Sequence, residues 1–261
     1  AIMEYTIKQG KLTLTASDHG AELRSLTWEK KELIWEGKKE VWPRRAPVCF
    51  PWVGKLAEGK GSFGGLACQG PQHGFIRDLD HVLAAQEKDL LRFRASWAGG
   101  ENWPWPFSFD TEHRLTETGA VTTCAVVNAG SKPMAVQFGF HPGFVCPFLP
   151  GTSVEEYQVR FESGLVVPLT RDLFDNDSIQ YQNVGEWARL EHRESGKYIQ
   201  VGTAGYHCVL LWSQPGIPGF VCIEPWQGYP GPQEALDQRP GALILEPGQR
   251  REWRKEISLG L

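Results

Sequence analysis

Three short stretches of the 261-residue chain carry the side chains best suited to moving protons. Gln72-His73-Gly74-Phe75-Ile76-Arg77-Asp78 combines an imidazole, a glycine, an apolar pair and an Arg/Asp pair. Phe138-Gly139-Phe140-His141-Pro142-Gly143-Phe144 sets a second imidazole among aromatics. Cys222-Ile223-Glu224-Pro225-Trp226 puts a carboxylate at the end of an apolar run. Gly74 lets the backbone beside His73 turn tightly or approach a ligand. Pro142 holds His141 in extended backbone. Burial of Glu224 would raise its pKa and suit it to general-base work.

Taken singly, each stretch also has an ordinary structural reading. His73 reads as a loop histidine beside an Arg77–Asp78 ion pair, Phe138 to Phe144 as plain core, and Glu224 as a strand-end carboxylate facing water. Together they form a set: one carboxylate base, one or two imidazole acids, and aromatic platforms. Abstracting a proton from one oxygen while donating one to its neighbour needs that set and no metal. A sugar hemiacetal offers such a pair, the anomeric hydroxyl and the ring oxygen. A glycoside hydrolase would need two carboxylates flanking the bond, and Glu224 has no obvious partner in the other stretches. A carbohydrate-binding protein without turnover needs stacking and hydrogen bonds but no matched acid and base.

The elements that must bring these stretches together read as strands. Tyr5 and Ile7, then Leu12 and Leu14, alternate around a turn at Gln9-Gly10. Leu23 to Trp35 continues in short apolar groups. From Trp42 to Gly74 the pattern dissolves into Gly, Pro and aromatics, and Pro43, Pro47, Pro51 and Pro71 exclude a long helix. Strand signals return at His81 to Leu83, Leu90 to Arg94, Val121 to Val127, Met134 to Phe140, Tyr157 to Phe161 and Leu165 to Leu169. Lys197 to Val201, His207 to Trp212 and Phe220 to Ile223 follow. Ala242 to Leu245, a turn at Glu246 to Gln249, and Trp253 to Leu259 read as a closing hairpin. A short helix is expected around Val184 to Leu190. Many short strands at turn spacing predict an all-β fold, a large antiparallel β-sandwich forming a single domain over residues 1–261.

Composition narrows the partners. The net charge is -4, and no lysine/arginine block forms a basic face, so no nucleic-acid partner is expected. No apolar stretch approaches the ~18 residues of a membrane helix. The six cysteines include no Cys-x-x-Cys pair, so neither a zinc site nor another cofactor is expected. With no signal-peptide pattern at Ala1 to Lys11, a cytoplasmic protein with reduced thiols is the expectation. Eleven tryptophans supply flat faces that pack β cores and stack on sugar rings.

The three stretches, with Arg45-Ala46-Pro47-Val48-Cys49-Phe50-Pro51-Trp52-Val53-Gly54 ahead of them, resemble the aldose 1-epimerase (galactose mutarotase-like) superfamily. The likeness is strongest to its shorter bacterial branch, and the motifs stand in the family's order. The resemblance implies the galactose mutarotase-like supersandwich and an open cleft holding a small-molecule sugar. It implies that Glu224 is the base for the anomeric hydroxyl and His141 the acid for the ring oxygen. His73 would polarise that oxygen. It further implies substrate contacts from Arg45, Arg77 and Trp226, and from an aspartate, Asp177, with Asp175 two residues away. The Arg44-Arg45 pair departs from the Asn-Arg of the longer members. Arg44 and Arg77 leave room for a phosphosugar, as in the related glucose-6-phosphate 1-epimerases. In the plainer reading Arg44 faces solvent or pairs with Glu40.

Overall fold

Alternation at period two governs the chain from its first hairpin. In the computed structural model, which describes residues 1–261, Glu4–Gln9 and Leu12–Ser17 pair antiparallel around Gly10. Gly10 has a φ of 59°, the left-handed backbone a glycine supplies without strain. Leu23–Trp28 and Lys31–Glu32 complete a four-stranded sheet.

The largest sheet has nine strands in the order Val166–Pro168, Tyr157–Phe161, Trp187–His192, Tyr198–Gly202, Arg250–Gly260, Gly119–Asn128, Phe107–Leu115, Leu90–Trp97 and Val82–Glu87. Phe107–Leu115 shows its logic. Phe107, Phe109, Thr111, His113 and Leu115 are buried, while Ser108, Asp110, Glu112 and Arg114 turn outward. On that outer face Arg94 Nε meets Asp110 at 2.7 Å across the ladder. A six-stranded sheet packs against the inner face. Its order is Ile179–Tyr181, Cys208–Trp212, Phe220–Gln227, Phe138–Phe140 and Val48–Cys49, with Gly143–Val145 also paired to Phe220–Gln227. All named pairings in both sheets are antiparallel.

Two apolar cores fill the space between sheets. One gathers Leu14, Phe93, Val159, Leu190, Val201, Leu211, Ile223 and Ile257. The other gathers Phe50, Trp103, Phe109, Val126, Phe138, Phe140 and Trp253. Phe138 lies flat on Trp253 at 4.3 Å with 1° between the planes. Burying each such aromatic contributes roughly 2–3 kcal/mol. No helix is long and apolar enough to cross a membrane.

Three sequence expectations are corrected. Val184 to Leu190 holds no helix; Trp187–His192 is a strand paired on both sides, its residues alternating between core and Arg/Trp-lined surface. The closing segments form no hairpin. Leu243–Leu245 pairs with Met134–Val136, while Arg250–Gly260 enters the nine-stranded sheet. The turn between them is held instead by Asn128, which donates to Gln249 O and accepts from Gly248 N–H. The irregular region from Trp42 to Gly74 contains a small hairpin, Lys60–Phe63 with Leu66–Gln69.

Candidate active site

The strand Phe220–Gln227 runs through the middle of the six-stranded sheet. Its alternation sends Val221 and Ile223 into the large core. The opposite face carries Cys222, Glu224 and Trp226. Gly139 pairs with Trp226 in the next strand, and a Cβ there would collide with the indole. The ladder therefore brings His141, two residues on, against Glu224. His141 Nε2 and Glu224 Oε1 lie 3.0 Å apart, with both side chains almost wholly buried. Neither His141 Nδ1 nor Glu224 Oε2 has a hydrogen-bond partner. Burial, with Asp177 nearby, raises the Glu224 carboxyl well above its ordinary range. Burial, with Arg77 and Arg44 adding, pushes the His141 imidazole down to about 3. Both shifts have burial as their largest cause and disfavour separated charges across the 3.0 Å contact.

His73 reaches the same place from a different loop. Its backbone is left-handed, with φ 69°. Gly74 follows at φ 73°, where a Cβ would run into the Phe50 carbonyl. Gly54 N–H donates to His73 Nδ1 at 2.9 Å, and His73 N–H returns a bond to Gly54 O at 2.9 Å. Since Nδ1 accepts, the neutral ring carries its proton on Nε2, free for a ligand. Burial, with His141 and the arginines adding, lowers the His73 pKa well below the usual imidazole range.

These side chains line a cavity of about 650 Å³. Trp42 lies over His141 at 5.2 Å, Trp212 meets its edge at 5.7 Å, and Trp226 stands against His73 at 5.5 Å. Aromatic walls with a few convergent polar groups suit a sugar, which stacks its C–H faces and bonds its hydroxyls. His141, Cys222 and Glu224 also converge, their ligating atoms within 4.8 Å of one another. Burial drives the Cys222 thiol well above its ordinary pKa, so with no metal at these atoms it stays a protonated thiol.

A sequence profile of the family described as Aldose 1-epimerase matches residues 3–183. The chain belongs to the aldose 1-epimerase family. Among solved structures it is similar to a galactose mutarotase related enzyme from Lactobacillus acidophilus. That match has 25% identity and a TM-score of 0.92, over 99% of this chain and 98% of that one. A galactose mutarotase-like protein from Lactobacillus casei, 24% identical with a TM-score of 0.89, covers 99% and 100%. One from Clostridium acetobutylicum, at 16% identity and 0.79, covers 100% and 98%. These last two show the shared fold. No match is found among curated proteins. The family profile takes in His73 and His141 but ends before Glu224, whose place in the site rests on the ladder geometry above.

Within this epimerase-family fold, six of the residues singled out from sequence line one cavity: His73, Arg77, His141, Asp177, Glu224 and Trp226. Arg45 does not. Its Nη1 donates to Arg24 O at 2.9 Å, and Glu22 takes the backbone N–H groups of Arg45 and Ala46. With Arg45 turned away, its neighbour Arg44 lines the cavity and pairs with Asp78 at 3.1 Å. The pairings of Asp78 with Arg77, and of Arg44 with Glu40, are thereby replaced. Arg77 donates to Gln72 O, and its buried Nε has no partner. Asp177, not Asp175, lines the cavity, and it does so at a φ of 91°. Trp42, Lys55 and Trp212 also line the site and were not singled out from sequence. Lys55 directly follows the first motif; nothing marked these two tryptophans among the eleven.

Proposed function

We propose that this chain is an aldose 1-epimerase that interconverts the α and β anomers of a hexose or related sugar. The observation that carries the reading is the buried Glu224–His141 contact at 3.0 Å, open to a cavity walled by aromatics. One proton in that pair is the right inventory for the reaction. With the proton on His141, Glu224 is a base and His141 an acid at once. A bound sugar replaces their mutual contact. Glu224 takes the proton of the anomeric hydroxyl while His141 delivers its own to the ring oxygen, and the C1–O5 bond breaks. His73, donating from Nε2, polarises the same ring oxygen. The C1–C2 bond rotates in the open-chain aldehyde. Closure on the other face returns both protons, so the pair ends as it began. Burial supports this exchange, since each transfer discharges a group whose charge is costly to hold away from water. Asp177, Arg77 and Trp226 hold the hydroxyls and one sugar face.

A second reading, on a phosphorylated sugar, is favoured by the charge of the cavity wall. Arg44, Lys55 and Arg77 stand there with Asp177 and with Glu224, whose carboxyl burial pushes toward its neutral form. Arg77 has no carboxylate within ion-pair distance, and burial, with the Arg44 charge adding, lowers its pKa. An anion would relieve that repulsion. The test is anomerisation of pure α-anomers, followed by NMR across neutral sugars and sugar phosphates. Acceleration for neutral hexoses supports the first reading, and acceleration confined to phosphates the second. Binding with no acceleration for any sugar would leave a carbohydrate-binding protein.

A further inference from the structure

Behind the cavity sits a cation that the proposed proton transfers do not use. Arg239 follows the short turn Leu236–Gln238 and is 2% exposed, with no carboxylate within ion-pair distance. Its guanidinium is ligated by neutral oxygens instead. Nη2 donates to Val53 O at 2.9 Å, Nη1 to Lys55 O and Gly231 O at 3.4 Å each, and Nε to Gln137 Oε1 at 3.1 Å. Gln137, 1% exposed, donates from Nε2 to Tyr229 O at 3.0 Å and Pro240 O at 2.9 Å. A buried arginine is costly to desolvate, and five donors spread over a fixed plane can hold several segments in one register.

The segments it holds are the three that build the site. Val53 and Lys55 flank Gly54, whose N–H fixes the His73 ring. Gln137 leads directly into Phe138–Phe140, the strand before His141. Tyr229 and Gly231 extend the strand that carries Glu224 and flank Pro230. Gly54 and Pro230 touch across the cavity mouth so closely that a Cβ on Gly54 would lie 2.6 Å from Pro230 Cγ.

We infer that Arg239, with Gln137, is a positioning residue: it holds the Gly54 amide on His73 Nδ1 and so keeps the His73 Nε2–H aimed at the reacting oxygen. This rests on the epimerase reading for its kinetic consequence but not for its structural one. Displacing a reacting group by about 1 Å costs on the order of 100-fold in rate. A lysine at 239 keeps the charge but loses the planar fork.

The test is Arg239→Lys, alone and combined with His73→Gln. The lysine variant should fold, lower kcat by roughly 10- to 100-fold and leave KM within about twofold, the signature of an interaction made in the transition state. In the His73→Gln background it should cost little more, because both changes remove one function. Ring ¹⁵N NMR should show His73 with a fixed Nδ1 acceptor in the wild type and a tautomer mixture in Arg239→Lys. Additive losses, or a His73 signature unchanged in Arg239→Lys, would overturn the inference. Arg239→Gln is the second variant if the lysine does not fold, and failure of both would assign Arg239 to folding alone. If the wild type turns over no sugar, the kinetic arms fail with the epimerase reading, while the NMR arm still decides the Arg239–His73 link.

Discussion

His113 and His141 are both buried imidazoles whose pKa values burial pushes to about 3, yet their surroundings differ in kind. His113 Nε2 donates to Ala21 O at 2.8 Å, and its Nδ1 accepts from the Thr122 hydroxyl at 2.8 Å. Every polar valence of that ring is used, and it fills the interior of the nine-stranded sheet. His141 faces a carboxyl across 3.0 Å, keeps Nδ1 unpartnered, and opens on a cavity. A buried polar atom without a partner costs about 1–3 kcal/mol. A fold tolerates that where the open valence has another use. The difference teaches that a depressed pKa alone does not mark a site. The unspent hydrogen-bonding capacity beside a cavity marks it.

The largest effect should come from Glu224→Gln. Removing the base should lower kcat by about 10²–10⁴-fold, while thermal melting shows a fold as stable as the wild type or more so. The amide keeps the side chain's shape and removes the cost of ionising a buried carboxyl. If activity and stability fell together, the contrast with His113 would break. The matched change is His113→Leu. It leaves the Ala21 carbonyl and the Thr122 hydroxyl buried without partners, and should cost about 2–4 kcal/mol in denaturant unfolding. The activity of its folded fraction should stay at the wild-type level.

The pH dependences should separate the two regions further. For the free enzyme, kcat/KM needs the Glu224–His141 pair with one proton. A second proton goes to His141, whose pKa lies at about 3, so the acid limb should fall well below the ordinary 6.5. Loss of the shared proton sets the alkaline limb, above the usual carboxylate range because Glu224 is raised. His113 acts on stability. Its folded pKa of about 3 lies below the unfolded value near 6.5, so the unfolded chain binds a proton that the fold refuses. That contribution is complete above pH ~6.5 and is lost as pH falls toward 3, by at most ~1.4 kcal/mol per pH unit. His113→Leu should make that part of the stability curve less steep, the slope from His141 and His73 remaining, without moving the activity limbs.

The smallest effect should come from Arg44→Ala. Its partly exposed ion pair with Asp78 contributes at most about 1 kcal/mol to folding. A sugar phosphate should nevertheless lose affinity by about tenfold if the cationic wall reads an anion, with KM for neutral sugars unchanged.

Much of this arrangement is legible in the sequence because the chemistry is local. His73-Gly74, His141-Pro142 and Glu224-Pro225 each announce a reactive group in constrained backbone, and period-two alternation announces the sheets. What was not legible depends on distant partners. Whether Arg44 or Arg45 faces the cavity is decided by Glu22, which takes the amides of Arg45 and Ala46. Leu243–Leu245 and Arg250–Gly260 look like a hairpin, but each finds a better edge elsewhere. Val184 to Leu190 reads as helix until the alternation of Trp187–His192 is placed between two strands. Arg239 gives no sequence signal, because its partners are carbonyls and one amide with no pattern of their own.

The most direct measurement is the NMR time course of a pure α-anomer with wild-type protein and with Glu224→Gln, at matched concentrations near neutral pH. The wild type should bring at least one sugar or sugar phosphate to anomeric equilibrium far faster than buffer, and Glu224→Gln should bind that sugar without accelerating it. Near-full activity in Glu224→Gln, or no acceleration by the wild type for any sugar, would contradict the assignment of proton transfer to the Glu224–His141 pair.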